Sequence, residues 1–183
     1  MSLRIETDRL ILRPMQIEDV DDLLQYQSNP EIVRYIPWPP RTMEQVKKAA
    51  EETIATGKFD LKEDNDFIVL VWELKSTSQV IGQSNMGLIS KVNKASNIGW
   101  VTHQDFHRQG YAFEATKSLL TYAFKNFDLH RVIADIDTRV PESAALAEKL
   151  GMRREATYLD GEFFKGEWCD MWLYAILKRE FQA

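Results

Sequence analysis

The spacing of apolar residues changes period several times along the chain. Leu10 and Leu12 alternate with Ile11 and Arg13 before Pro14, which has no amide to give a ladder, so this stretch reads as a strand. In EDVDDLLQYQSNPEIVRYI, Val20, Leu23, Leu24 and Tyr26 supply the apolar contacts of a helix. Acidic residues crowd its start, as the helix dipole favours, and Pro30 divides it into two short helices. The PWPP run at 37–40 is a rigid break, and residues 42–57 form a third amphipathic helix ended by Gly57. Strand patterns follow over 67–74, 80–89 and 96–102, with turn residues at 75–78 and 91–94, as in an antiparallel meander. After Gly110 the period becomes helical: Ala112, Thr116, Leu119, Leu120, Ala123, Phe124 and Phe127 lie on one face. RVIADID at 131–137 is again a strand, and Pro141 and Gly151 bracket a helix over 141–150. Two strands, near 152–162 and 168–177, finish the pattern. No repeat, low-complexity tract or linker interrupts it, so residues 1–183 read as one α+β domain with a mostly antiparallel sheet.

Composition narrows the class. A chain of 183 residues buries about 70% of the surface its unfolded form exposes, ample for a core without staples. With 44% apolar and 28% charged residues, it is neither disordered nor fibrous. No apolar run approaches a membrane span, and the opening MSLRIETDRL carries charges where a secretory segment needs apolar residues. Cys169 is the single cysteine, so no internal disulfide can form and a cytoplasmic protein is expected. The three histidines and Cys169 have no metal-ligand spacing, and no metal is expected.

The net charge of −5 argues against a nucleic-acid binder. Its excess lies entirely in residues 1–66, with 14 acidic and 9 basic side chains, whereas 67–183 hold 14 of each. Glu18, Asp19, Asp21, Asp22 and Glu31 belong to that excess, which reads either as solvated helix faces or as a field steering a cationic substrate.

The stretch richest in chemistry is the strand–turn–helix join GWVTHQDFHRQGYAFEATKSLL. Gly110 opens the helix, whose first amides lack internal partners and carry the positive end of the dipole, making a site for an anion such as a phosphate. The competing reading is a plain turn with water at the helix start.

HRQGYAFEA resembles the acyl-CoA loop of the GCN5-related N-acetyltransferase (GNAT) superfamily, Gln/Arg-x-x-Gly-x-Gly/Ala, with Gly110 and Ala112 matching and His107 in the Gln/Arg position. ETDRLILRPM, ESAALAEKLGM and EFFKGEWCDMWLYAIL resemble further segments of its ribosomal-protein N-terminal acetyltransferase (RimJ/RimL-like) branch, so four motifs in order cover nearly the whole chain. Three positions depart from the pattern. His107 is one; Arg108 stands where the branch often has glycine, and Val140 where an Asn often binds the pantetheine arm.

The resemblance implies a GNAT fold: a mixed, mostly antiparallel sheet of about seven strands and about four helices, with the parallel strands 96–102 and 131–137 splayed at the acyl-CoA site. It implies acetyl transfer from acetyl-CoA to a primary amine by direct attack, foremost the α-amino group of a protein or peptide N-terminus. A polyamine or aminoglycoside acceptor, or a non-catalytic acyl-CoA sensor, is the alternative. His107, Arg108, Gln109, Gly110, Tyr111 and Ala112 would cradle the pyrophosphate, and Trp100, Val101 and Thr102 would flank the pantetheine, an amide near Val101 polarising the thioester oxygen. Glu162, in the Glu-x-x-x-Gly-x-x-x-Asp pattern with Gly166 and Asp170, would take the amine's proton, against the alternative of an exposed turn glutamate. Ser143 would serve the leaving thiolate, against the alternative of a helix cap. His103 and His107 align with no catalytic position of the family and read as surface side chains or phosphate neighbours. Cys169, with no basic partner nearby in sequence, reads as a strand cysteine. Trp38, Trp100, Trp168 and Trp172 are candidates to line the acceptor cleft, against the alternative of core packing. An uncovered strand edge leaves room for a homodimer.

Overall fold

The computed structural model describes residues 3–56 and 59–182. Its strands form a single sheet. In chain order they are β1 (Ile5–Glu6), β2 (Leu10–Arg13), β3 (Phe67–Leu74), β4 (Val80–Ser90), β5 (Ala95–Thr102), β6 (Arg131–Asp137), β7 (Arg153–Phe164) and β8 (Glu167–Leu177). In the sheet the order is β1-β2-β3-β4-β5-β6-β8-β7, and every neighbouring pair is antiparallel except β5 with β6. The helices are α1 (Val20–Gln27), α2 (Pro30–Val33), α3 (Met43–Thr56), α4 (Tyr111–Asn126) and α5 (Pro141–Lys149). Eight strands and five α-helices occur among the described residues: the helices are the five that the apolar pattern marks, one more than the about four of the resemblance, and one strand joins the about seven expected. The added strand, β1, is too short to show an alternation, and α2 is a single turn started by Pro30 and capped by the Asn29 side chain. The helix end assigned to Gly57 lies outside the described residues.

The sheet is covered on both faces, which explains why FIVLVWEL in β3 is almost continuously apolar. Ile68, Leu70 and Trp72 point to the face packed by Leu119 and Leu120 of α4 and Ala147 of α5, whereas Val71 points to the face of Leu23 and Tyr26 of α1 and Val46 of α3.

Two of the acidic residues near the start turn inward. Asp19 is 4% exposed and accepts both Nη atoms of Arg13, which also bonds Glu73. Asp22 accepts the backbone amide of Val80. These carboxylates brace α1 against the sheet and contribute little to a steering field.

The parallel pair is what opens the sheet. β5 and β6 pair only at Ala95–Arg131, Ser96–Val132 and Asn97–Ile133. Beyond that point β5 stays with β4 as far as Thr102, and β6 stays with β8 as far as Asp137. The two strands therefore diverge in a V, each leaving one edge without a partner strand.

Candidate active site

At the start of α4 the chain turns through Arg108 and Gly110, with φ of 59° and 84°. No side chain caps this helix, so its first amides face the opening. Gly110 suits its left-handed conformation, and a Cβ there would lie 3.4 Å from Arg9 Nη2. Arg108 adopts a left-handed conformation too, which accounts for glycine being common there in the branch. Its guanidinium is exposed and has no protein partner among the described residues.

Long-range contacts hold this loop. Glu114, in the first turn of α4, accepts the Thr7 hydroxyl at 2.6 Å and the Arg9 amide and Nε at 2.9 and 2.6 Å. Burial alone would raise the Glu114 carboxyl, but these bonds outweigh it and hold the group below its ordinary range. Arg9 also donates from Nη1 to the Gln109 carbonyl at 3.0 Å and stacks 4.1 Å from the Tyr111 ring centre. Arg9 is a loop-positioning residue that pattern reading missed, because nothing local to TDRL signals a partner about a hundred residues away.

Three expectations for the loop change. Gln109 does not line the opening; its Nε2 donates to the Asp105 carbonyl, which makes it a brace. The Nε2 of His107 donates to the Thr102 carbonyl at 2.9 Å, tying the loop to the end of β5. His103 is buried: its Nδ1 accepts the Asp105 amide, so Nε2 carries the proton and donates to Gln25 Oε1 at 3.1 Å.

The direction of the β5 amides follows from one bond and the register. His103 donates its amide to the Ile81 carbonyl, and the β4–β5 register runs unbroken from Gly82–Thr102 to Leu88–Ser96. Bonded pairs alternate in an antiparallel ladder, so Val101 faces Gln83 while Trp100 and Thr102 face the V. The amide expected near Val101 is thus engaged within the sheet, and its neighbours offer the free edge. On β6 the Thr138 amide bonds the Asp170 carbonyl, which by the same alternation turns the Asp135 and Asp137 main chain to the V.

A cleft of about 1650 Å³ runs through this opening, and every expected site residue except Gln109 lines it. Trp38 and Trp100 contribute to its wall, but Trp168 is 61% exposed against Phe163, and Trp172 packs beside the core under Arg154. Ser143 lies in the first turn of α5, which has no side-chain cap, and its hydroxyl has no protein partner among the described residues. That leaves it available to the cleft. Val140, in the place of the pantetheine-binding Asn, bonds only through its main chain, its amide going to the Asp137 carbonyl.

Glu162 lines the cleft opposite Cys169 and has no partner among the described residues. A second carboxylate, absent from the sequence reading, stands on the same wall. Asp135 lines the cleft with Glu162 and is also unpartnered; its side chain stays exposed to solvent, and partial desolvation within the cleft pushes its carboxyl up from the ordinary range. Ala134 and Ile136 belong to the α4 face, so the Asp135 side chain lies on the other. By contrast Asp137 is committed. Burial would raise it, but three bonds from Arg139 hold it low. The same Arg139 reaches Cys169 Sγ at 2.9 Å and lies 4.9 Å from the Tyr35 ring centre. Burial raises the Cys169 thiol, consistent with a strand cysteine rather than a nucleophile. No group of side chains suited to a metal ion occurs among the described residues, and none of their helices is long and apolar enough to cross a membrane.

The chain is similar throughout its length to known proteins of one kind. It is 32% identical over 176 residues to an uncharacterized N-acetyltransferase, p20, of Bacillus licheniformis, covering 96% of each chain. It is 24% identical to the ribosomal protein uS5-alanine N-acetyltransferase of Escherichia coli, over 95% of this chain and 90% of that one. A GNAT-family acetyltransferase of Bacillus anthracis superposes with a TM-score of 0.86 at 28% identity, covering 97% of this chain and 100% of that one. A spermidine N-acetyltransferase of Vibrio cholerae, solved with CoA and spermine, superposes at 0.78 with 18% identity over 95% and 98%, a likeness of fold alone. The acetyltransferase (GNAT) domain family matches residues 9–153. With the splayed strands, the open helix start and this match in hand, the chain belongs to the GNAT family and is an acetyl-CoA-dependent N-acetyltransferase.

Proposed function

We propose that the acceptor is the α-amino group of a protein or peptide N-terminus, acetylated by direct attack. The observation that carries this reading is the pair of unpartnered carboxylates, Glu162 and Asp135, on the cleft wall beyond the free edge of β5. The relative named for a ribosomal-protein alanine supports it.

Acetyl-CoA supplies the activated acyl group and a thiolate leaving group. The α4 amides and Arg108 hold its diphosphate. The Trp100 or Thr102 amide at the edge of β5 donates to the thioester oxygen. Glu162 takes the proton of the entering ammonium, because an α-amine with a pKa near 8 is largely protonated at neutral pH. Asp135 holds the ammonium before that step. The Ser143 hydroxyl donates toward the departing sulfur.

A polycationic acceptor finds less support. The field expected from the first third is reduced by the internal bonds of Asp19 and Asp22, and of the five acidic residues singled out only Glu31 lines the cleft. The test is release of free CoA thiol with a panel of peptides, polyamines and aminoglycosides, for wild type, Glu162→Gln and Ser143→Ala. Turnover confined to polyamines overturns the acceptor assignment. Equal turnover in Glu162→Gln removes Glu162 as the proton acceptor.

A further inference from the structure

The acceptor side of the cleft holds a side-chain amide whose nitrogen bonds no protein group among the described residues and opens to the cleft. Gln83, on β4, is 9% exposed and lines the cleft. Its orientation follows from a chain of contacts that begins at a group with only one role. A guanidinium can only donate, and Arg41 Nη1 lies 2.9 Å from Gln27 Oε1. That fixes the Gln27 amide, whose Nε2 then points at Gln83 from 3.2 Å. Gln83 must answer with its Oε1, because two amide nitrogens facing each other would both be donors. The same Oε1 receives the Tyr26 hydroxyl at 2.9 Å, and burial pushes the Tyr26 pKa up, so that hydroxyl keeps its proton. What remains is the Gln83 Nε2, two N–H donors with no partner among the described residues.

We propose that Gln83 Nε2 binds the carbonyl adjacent to the amine being acetylated, selecting peptide N-termini over amines that lack one. This rests on the acceptor class proposed above and specifies how it is read. Gln83 is level with Val101, on the sheet face that α1 covers. Asp135 stands on that same face across the V. An acceptor whose ammonium lies at the carboxylates therefore has the Gln83 donors on its opposite flank. In an N-terminal residue the carbonyl carbon is two bonds from the amine nitrogen, so one residue presents a cation to one wall and an oxygen to the other. A protonated polyamine presents only N–H groups, so on filling the cleft it takes water from the Nε2 without replacing that bond, a loss that disfavours its binding.

The experiment compares Gln83→Met with wild type on two amines, a short peptide beginning with alanine and 2-aminopropane, which keeps that residue's amine and methyl groups without the carbonyl. The ratio of variant to wild-type kcat/KM for each amine removes their difference in basicity. The expected result is a loss of about tenfold for the peptide and less than twofold for 2-aminopropane. An equal loss on both overturns the proposal, because a donor serving the thioester or the fold alone affects every acceptor alike. No loss on either overturns it as well. If Gln83→Met fails to fold for want of a partner for the Tyr26 hydroxyl, Tyr26→Phe/Gln83→Met removes that hydroxyl too, and the same two ratios decide. A wild-type enzyme that acetylates spermidine and no peptide defeats the acceptor class itself, a failure distinct from a wrong role for Gln83.

Discussion

The ammonium of Lys165 lies 2.6 Å from the carbonyl oxygen of Val33, joining the tip of the β7–β8 hairpin to the end of α2. Lys165 also donates to the Trp38 carbonyl at 3.0 Å. The hairpin turns in two residues, Lys165 and Gly166, with φ of 50° and 92°, a geometry that aims the lysine across the cleft mouth. One cation thus clasps the strand carrying Glu162 to the segment carrying Tyr35 and Trp38. Lys165→Met is expected to raise the acceptor KM several-fold and to leave the acetyl-CoA KM unchanged, since among the described residues Lys165 bonds the Val33, Arg34 and Trp38 carbonyls and nothing in the loop before α4. Steady-state kinetics with each substrate varied in turn checks this, and equal shifts in both constants count against the clasp.

Asp135 makes a pH-dependent prediction. Partial desolvation in the cleft raises its folded-state pKa although the side chain is exposed, so the folded protein binds the proton more tightly than the unfolded chain does. Stability then falls slightly as pH rises through the window just above the ordinary aspartate value, and at neutral pH the ionised group is a small net cost, reduced by its contact with solvent. Asp135→Asn is expected to raise Tm at pH 7 and to lose that advantage at pH 3, while weakening the binding of cationic acceptors. Thermal melts at the two pH values decide; a variant less stable at pH 7 would show that Asp135 has a stabilising partner.

How far the sequence reached depended on whether the signal was local. β3 and β6 match their expected limits because apolar runs bounded by turns define them on their own. The open start of α4 was legible from Gly110 and the helical period after it. Asp135 was not, since an alternating polar residue in RVIADID reads only as the solvent side of a strand until the sheet is seen to part at Asn97 and Ile133. Gln83 and Arg9 escaped for a related reason, as each takes its meaning from partners more than fifty residues away. The charge count misled in the opposite direction. It located the acidic excess correctly but could not show that Arg13 and the Val80 amide engage part of it.

Arg108 combines a backbone strain with a free charge. Its φ of 59° suits glycine better, so Arg108→Gly is expected to change stability by no more than about 1 kcal/mol, relief of the strain opposing the greater freedom of glycine in the unfolded chain. The same change removes a cation beside the proposed diphosphate cradle and is expected to raise the acetyl-CoA KM by about five- to tenfold. Arg108→Ala separates the two effects, keeping the strain and losing the charge. If Arg108→Gly and Arg108→Ala both bind acetyl-CoA like wild type, the main-chain donors suffice and the side chain is a bystander.

Ser143 can be tested for the two roles its position allows. A serine that caps a helix loses about 1 kcal/mol of stability on replacement by alanine, but α5 has no side-chain cap and the Ser143 hydroxyl bonds no protein group among the described residues. Ser143→Ala is therefore expected to leave Tm within a degree or two of wild type. A hydroxyl that donates to sulfur only as the thiolate forms acts on the transition state, so kcat and kcat/KM should fall together by about tenfold while acetyl-CoA affinity holds. Calorimetry and single-turnover rates give both readings on one preparation. A clear drop in Tm with unchanged kcat would return Ser143 to the structural role and leave the thiolate to take its proton from water.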